Sequence, residues 1–343
     1  MERIYMVDVV ALLGLPVPDR ASFYVPCPCC DTGKGKHLNI NLKKEVFRCA
    51  RCGEAGGIFD LYSLFTGTPR EQARRAIIER ISPPQRTAAW EDQVQPRENR
   101  LAPIEARNKA YQDLLSVLTL AGGHRQNLHN RGLTDDNIVR LGYKSIPVGS
   151  GIAIADRLLG YGAQLAGVPG FFRTKSGQWA FVHQRPGILI PVKDIQGRVQ
   201  GLQVRLDDTE KRKFRWVSSG SFSGGCRAEG WTHLAGEPKE TILLTEGPMK
   251  ADVIHALTGL TVLAVPGVNA LTKLEKALSE LRQVGLREIK TAFDMDYCTN
   301  WYVQKGYDEL LSLLGHMGFR YGTYVWDPRY KGLDDFIWAK LQK

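Results

Sequence analysis

Four cysteines in two pairs constrain this chain more than anything else in it. Cys27 and Cys30 are separated by two residues, as are Cys49 and Cys52, and 18 residues lie between the pairs. A Cys-x-x-Cys pair sits on a tight turn that aims both sulfurs at one point. Two such turns complete a tetrahedron of thiolates about 2.3 Å from a zinc ion. With all four positions filled by protein, such a site is structural rather than catalytic. Five of the seven cysteines fall between Cys27 and Cys52, while Cys226 and Cys298 stand alone. A disulfide framework would spread its cysteines more widely and would need an oxidising compartment, so the clustering points to metal in a cytoplasmic chain. Two other ligands compete. Cys29 in place of Cys30 would give a poorer Cys-x-Cys pair, and His37 lies in the alternating stretch Lys36 to Leu42, where a strand is more natural. Lys34, Lys36, Lys43, Lys44, Arg48 and Arg51 can offset the charge of four thiolates or contact phosphates.

A length of 343 residues suits two or three domains at about 150 residues each. The pattern predicts a cysteine-bearing block over residues 1–82, opened by an amphipathic helix carrying Ile4, Val7, Val10 and Leu13 and closed by a helical stretch from Ile58 to Ile81. Ser82-Pro83-Pro84 begins a polar run without periodicity, read as a linker over 83–100. Residues 101–236 are mixed, with helices over Ala106 to Ala121 and Thr134 to Leu141 ahead of strands over Gly187 to Val192 and Arg198 to Leu206. From 237 to 343 strands alternate with helices. The strands begin at Thr241, Leu260, Glu288 and Tyr321, and the helices run over Met249 to Leu257, Lys273 to Val284 and Tyr302 to Met317. Such alternation predicts a parallel sheet built from βαβ units, hence an α/β fold, α+β overall.

In a parallel sheet the C-terminal strand ends share one edge, and acids distant in sequence converge there. Glu246 follows the first of these strands, Asp294 and Asp296 the third, and Asp334 and Asp335 the last. They make an oxygen-rich cluster suited to Mg²⁺ or Mn²⁺. The competing reading of these acids is helix caps and turns. The net charge of +10 favours a polyanionic partner. Arg205, Lys211, Arg212, Lys213 and Arg215, with Phe214 and Trp216 among them, suit single-stranded nucleic acid, where cations meet phosphates and rings stack on bases. A solvated charged hairpin is the plainer alternative. No apolar run approaches the roughly 18 residues that would cross a bilayer, and the first 15 residues lack a basic leader and a cleavage site. The expected location is cytoplasmic, with no membrane partner.

Cys27-Pro28-Cys29-Cys30, Leu38-Asn39-Ile40 and Cys49-Ala50-Arg51-Cys52-Gly53 resemble the zinc ribbon of bacterial DnaG-type primases, with Cys30 where that family usually has His. Ile188 to Val192, Asp194, Gly197-Arg198-Val199 and Lys213 to Ser219 resemble its core. Glu246-Gly247 and Asp294-Met295-Asp296 resemble its TOPRIM acids. A second departure is Lys250, at a position where the family commonly has an acid, with the next acid delayed to Asp252. Lys250 is either a phosphate contact at a helix start or a surface lysine. Glu-Gly-x-x-Lys-Ala-Asp with Gly332-Leu333-Asp334-Asp335 looks like the TOPRIM domains of plasmid, phage or mobile-element replication proteins.

The resemblance implies a zinc ribbon, a mixed α/β primase core and a C-terminal TOPRIM domain. It implies a primase making short RNA primers on single-stranded DNA from nucleoside triphosphates. Cys27, Cys30, Cys49 and Cys52 would hold structural zinc. Glu246, Asp294 and Asp296 would be catalytic and, with Asp334 and Asp335, would hold Mg²⁺ or Mn²⁺. Glu246 would be the general base, and Arg205, Lys213, Arg215 and Lys250 would contact template or nucleotide. The helicase would be a separate protein or a missing part. A non-catalytic zinc and TOPRIM DNA-binding accessory or recombination mediator, or a TOPRIM nuclease, are the alternatives.

Overall fold

The computed structural model describes residues 4–17, 21–30, 35–80, 100–147, 149–182, 185–207, 213–267, 271, 273–294 and 301–342, without the side chains of 301–303 and 305. The chain divides into two compact units, 1–98 and 99–343. The expected linker, Arg100 excepted, lies outside the described residues.

The first unit runs α1 (Met6–Leu12), β1 (Ser22–Val25), β2 (Leu38–Asn41), β3 (Val46–Cys49), β4 (Ala55–Gly56), α2 (Ile58–Thr66) and α3 (Arg70–Arg80). Its four strands form an antiparallel meander in sequence order. Alternation puts Phe23, Val25, Leu38, Ile40, Phe47 and Cys49 on one face, against Met6, Val9 and Val10 of α1 and Leu61, Tyr62, Ala73 and Ile77 of the last two helices. The single helix expected from Ile58 to Ile81 is two. Gly67 adopts a left-handed conformation (φ 71°) that ends α2, and Pro69 stands just before α3.

The second unit begins with α4 (Ile104–Val117), α5 (Gly122–His129), α6 (Asp135–Leu141), β5 (Lys144–Ser145), α7 (Gly151–Gly160), β6 (Phe171–Arg173) and β7 (Trp179–Phe181). Then come β8 (Gly187–Lys193), β9 (Val199–Leu206) and β10 (Phe214–Trp216). Thr134 caps α6 by accepting from the Asn137 N–H at 3.2 Å. Strands β10-β9-β8-β5 form an antiparallel sheet. Both faces of β8 and β9 are buried; β8 reads as a near-continuous apolar run, whereas β9 buries Gln200, Gln203 and Arg205 among its apolar residues. Leu189, Leu202 and Val204 pack against α4 and α7, while Ile188 and Ile190 turn toward Leu128, Ile138 and Leu141 of α5 and α6.

The remainder is β11 (His233–Ala235), β12 (Thr241–Glu246), α8 (Pro248–Thr258), β13 (Val262–Val265), α9 (Leu274–Gln283), β14 (Glu288–Thr291), α10 (Trp301–His316), β15 (Arg320–Thr323) and α11 (Leu333–Leu341). The sheet order is β11-β13-β12-β14-β15. The last four in that order are mutually parallel, as the alternation predicts, and β11 adds an antiparallel edge. Chain order reverses around β12, between β13 and β14. In an open α/β sheet this is the switch point, where strand ends splay and leave a crevice. The two sheets share packing. Met249 and Val253 of α8 join Tyr143, Ile188 and Ile190 in one cluster.

Candidate functional site

Cys27, Cys30, Cys49 and Cys52 bring their sulfurs within 4.8 Å of one another. Sγ of Cys27 and Cys52 are 3.8 Å apart, and those of Cys30 and Cys49 are 3.5 Å apart. A tetrahedron of sulfurs about 2.3 Å from zinc has edges of about 3.8 Å, so the cluster already has the size of the site. Cys27 and Cys49 are held in the ribbon's core, each beside a turn: the Cys30 N–H donates to the Cys27 carbonyl, and the Gly53 N–H to that of Cys49. Backbone N–H groups of Cys52 and Arg51 lower the Cys49 thiol to about 6, whereas burial and the neighbouring sulfurs push Cys30 up to about 12. Cys29 is exposed and lies outside the converging four, as does His37. Lys36, Lys43, Lys44, Arg48 and Arg51 are all exposed on this unit.

Glu246 is the last residue of β12, and Asp294 follows β14, so the two flank the switch point. Gly247 between β12 and α8 takes φ 83°, and Pro248 starts α8. This turn lets the helix begin directly beneath the strand end. It brings Lys250, one turn on, back over the acids. Its Nζ is 3.6 Å from Glu246 Oε1 and bonds directly to Asp294 Oδ1. Lys331 Nζ stands 3.6 Å from Asp294 Oδ2. Asp334, at the start of α11, is buried, with Arg131 Nη1 3.9 Å from its Oδ2 and no hydrogen-bond partner for its Oδ1. Burial raises its pKa, with Asp335 and Asp294 adding to the shift and Lys250 and Arg131 opposing it. A Cβ on Gly332 would fall 2.3 Å from Asp334 Oδ1 and 3.5 Å from Asp294 Oδ1, so only glycine lets the two carboxylates come this close to the backbone there. Asp335 is exposed beside a cavity of about 250 Å³ lined also by Asn127, Asn130, Arg131 and Trp338. Asp296 and Cys298 lie outside the described residues.

Arg205 on β9 is buried, and its Nε has no hydrogen-bond partner. Burial and then Arg131 lower its pKa, and Asp207 opposes them. Lys213 is lowered by Arg205 first, then by burial and Arg131. Three cations are thus crowded together, and one of them, Arg131, also faces Asp334. Arg131 was not singled out in the sequence. Its signal is Gly132 (φ 91°), where a Cβ would meet the Trp338 ring at 2.6 Å, so glycine fixes the turn that presents Arg131. Arg215 pairs with Val204 rather than Arg205, which puts it on the other face of the pleat, exposed. Lys211 and Arg212 lie outside the described residues.

Asp252, the delayed acid, turns inward and is buried. Its Oδ2 accepts from the Tyr143 hydroxyl at 2.7 Å, and its Oδ1 pairs with His233 Nε2 at 3.1 Å. The Lys193 N–H donates to His233 Nδ1 at 2.9 Å, so the proton on that imidazole is on Nε2. Asp252 is therefore a strut between α8, β11 and the middle sheet, and it takes no part in the acidic centre.

Residues 230–343 match a family model described as a domain of unknown function, DUF3854. No curated protein matches the chain. Among solved structures, the chain is similar to the zinc-binding and RNA polymerase domains of the Aquifex aeolicus primase. That match has a TM-score of 0.54 and 16% identity over 99% of this chain and 82% of that one. The RNA polymerase domain of Mycobacterium tuberculosis primase DnaG, in complex with double-stranded DNA bearing a 6-nucleotide overhang, matches at TM-score 0.49 and 16% identity, over 71% and 81%. A DnaG primase catalytic domain bound to single-stranded DNA matches at 0.46 and 18%, over 70% and 83%. At these identities the likeness to the Aquifex structure is one of fold.

Proposed function

We propose that the chain is a DnaG-type primase that makes short RNA primers on single-stranded DNA. The observation that carries this reading is the arrangement at the switch point. Glu246, Asp294 and the buried Asp334 gather at one strand edge, and Arg131, which crowds Arg205 and Lys213, faces Asp334. An unpartnered buried oxygen on Asp334, close to Asp294 Oδ1, fits a hard divalent cation, which takes oxygen ligands. Mg²⁺ or Mn²⁺ bound by Glu246, Asp294, Asp296, Asp334 and Asp335 would supply charge neutralisation for a departing pyrophosphate and acidify the attacking 3′-hydroxyl.

The protein groups have separable tasks. Arg131, Arg205 and Lys213 would bind the phosphates of template or triphosphate, since cations this crowded are relieved by an anion. The exposed Phe214 and Arg215 of β10 would meet the single strand. Glu246, at a strand end and half-exposed, is placed to take the proton of the 3′-hydroxyl. The ribbon, with zinc on Cys27, Cys30, Cys49 and Cys52, would grip template through its exposed Lys and Arg side chains. We divide the chain into a zinc ribbon over 1–82, a linker over 83–100, a basic core over 101–236 and a TOPRIM domain over 237–343. A replicative helicase, as a separate protein or as part of a longer chain, would be its partner.

The test is primer synthesis on single-stranded templates with Mg²⁺ or Mn²⁺, offering ribonucleotides and then deoxyribonucleotides, beside Asp294→Ala. Short template-dependent products that vanish in the variant are expected. Products that persist in the variant would refute the site. Cleaved template without synthesis would move the reading to a nuclease.

A further inference from the structure

Lys250 stands where a cation would be sought. Among the described residues, the four cysteines are the group of three or more possible ligands whose donor atoms close within 4.8 Å. The carboxylates do not close to that extent, and the ammonium of Lys250 lies between two of them, against Glu246 Oε1 and Asp294 Oδ1. Asp334 differs. Its side chain is 5% exposed, its Oδ1 is unpartnered, and it packs on Gly332, close to Asp294 Oδ1.

We propose that Lys250 is a resident cation of the acidic centre, doing for Glu246 and Asp294 what a divalent ion would otherwise do, so that the centre takes one divalent ion, on the Asp334 side. This rests on the reading of the acids as a metal centre. Carboxylates gathered at one strand edge repel one another, and a cation between them relieves that repulsion. Lys250 stands against Glu246 and Asp294, and Lys331 against Asp294, whereas Asp334 has only the more distant Arg131, so Asp334 is the acid left for a divalent ion. The backbone that carries Lys250 is fixed at both sides, by the Gly247-Pro248 start of α8 and by the inward Asp252, two residues on. A tethered ammonium cannot be diluted away, so Glu246 and Asp294 stay assembled at low Mg²⁺. On the opposite side, Asp334 has Arg131 only at 3.9 Å, too long for a hydrogen bond, and its buried Oδ1 has no hydrogen-bond partner.

The test counts ions rather than products. The zinc-loaded full chain, freed of other divalent ions by chelating resin rather than by a soluble chelator, is titrated with Mn²⁺ and free Mn²⁺ is read by electron paramagnetic resonance. The wild type is expected to bind one Mn²⁺ per chain, lost in Asp334→Asn. Lys250→Asp is expected to bind two. Lys250→Met is expected to melt at lower temperature than the wild type without Mg²⁺ and to regain most of the difference when Mg²⁺ is added. Two ions in the wild type, or one in Lys250→Asp, would overturn the proposal while leaving the metal centre standing. Binding that survives Asp334→Asn and Asp294→Asn together would remove the metal centre itself, and the proposal with it. If Lys250→Asp fails to fold, the melting comparison of Lys250→Met with and without Mg²⁺ decides. An unchanged melting temperature in both conditions overturns the proposal.

Discussion

Replacing Asp252 with alanine tests whether the strut between the two sheets of residues 99–343 is held by hydrogen bonding rather than by apolar contact alone. The carboxylate accepts from the Tyr143 hydroxyl and from His233 Nε2, and the carboxylate and the imidazole are both almost wholly buried. Alanine leaves two buried donors without a partner. Each such loss costs about 1–3 kcal/mol, so Asp252→Ala should destabilise by about 2–5 kcal/mol. Tyr143→Phe removes one donor and leaves one buried acceptor, Asp252 Oδ2, without it, a single loss against two, so it should cost less, about 1–3 kcal/mol. In Asp252→Ala the bond that Tyr143→Phe would delete is already gone. The double variant should therefore fall short of additivity by about 1–2 kcal/mol. Six of the seven tryptophans lie in residues 99–343, so urea unfolding followed by tryptophan fluorescence reports on this unit. A cost below about 1 kcal/mol for Asp252→Ala, or additivity within about 0.5 kcal/mol, would refute the reasoning.

Removing zinc with a soluble chelator should unfold the ribbon of residues 1–98 while residues 99–343 keep their melting transition, read by circular dichroism and by tryptophan fluorescence; Cys49→Ser should do the same without chelator. Because the ligands must be deprotonated, zinc uptake should release protons and zinc should be lost as pH falls, measured with a zinc-sensitive dye across a pH series. Arg131→Ala, Arg205→Ala and Lys213→Ala should each weaken single-stranded DNA binding at low salt and lower the slope of log affinity against log salt by about 0.7, read by fluorescence anisotropy. Asp334→Asn should raise the stability of the Mg²⁺-free protein by about 1–2 kcal/mol near pH 7, since it removes a buried charge with an unpartnered oxygen. The sign follows from a carboxyl whose folded pKa is raised. Its burial costs stability above that pKa and costs nothing below the unfolded value, so the gain should vanish in acid.

The elements most legible in the sequence are those whose pattern is set locally. The Cys-x-x-Cys pairs announce their turns, and the alternation of Leu38, Ile40, Phe47 and Cys49 announces the meander. The strand–helix alternation from Thr241 onward yields a parallel sheet because βαβ units leave little choice. What escaped was decided by tertiary contact. The edge strand β11 is three residues long and carries no period. The helices α5 and α7 are short, and α5 begins with Gly122-Gly123, poor helix formers that packing overrides. Gly67 and Pro69 do mark the break between α2 and α3, but the apolar spacing runs through it. At the site, strand-end logic finds Glu246 and Asp294. It says nothing of Arg131, which reaches the acids from a turn more than a hundred residues earlier. Nor does it show that Lys250 faces the carboxylates while Asp252, two residues away on the same helix, faces the core.

Helix α8 also bears on where this molecule can be cut. The segment that matches a family model starts at residue 230, which invites its expression as a free-standing module. Yet Met249 and Val253 of α8 lie against Leu128, Ile138, Ile188 and Ile190, all upstream of that boundary, and Asp252 would lose Tyr143. A fragment cut there would carry a bare apolar helix face and a half-satisfied buried carboxylate at the root of its own acidic centre. Shuffling of this segment between proteins would have to carry along a substitute for the sheet beneath it. The unit of inheritance and the unit of folding are, for this chain, different lengths of polypeptide.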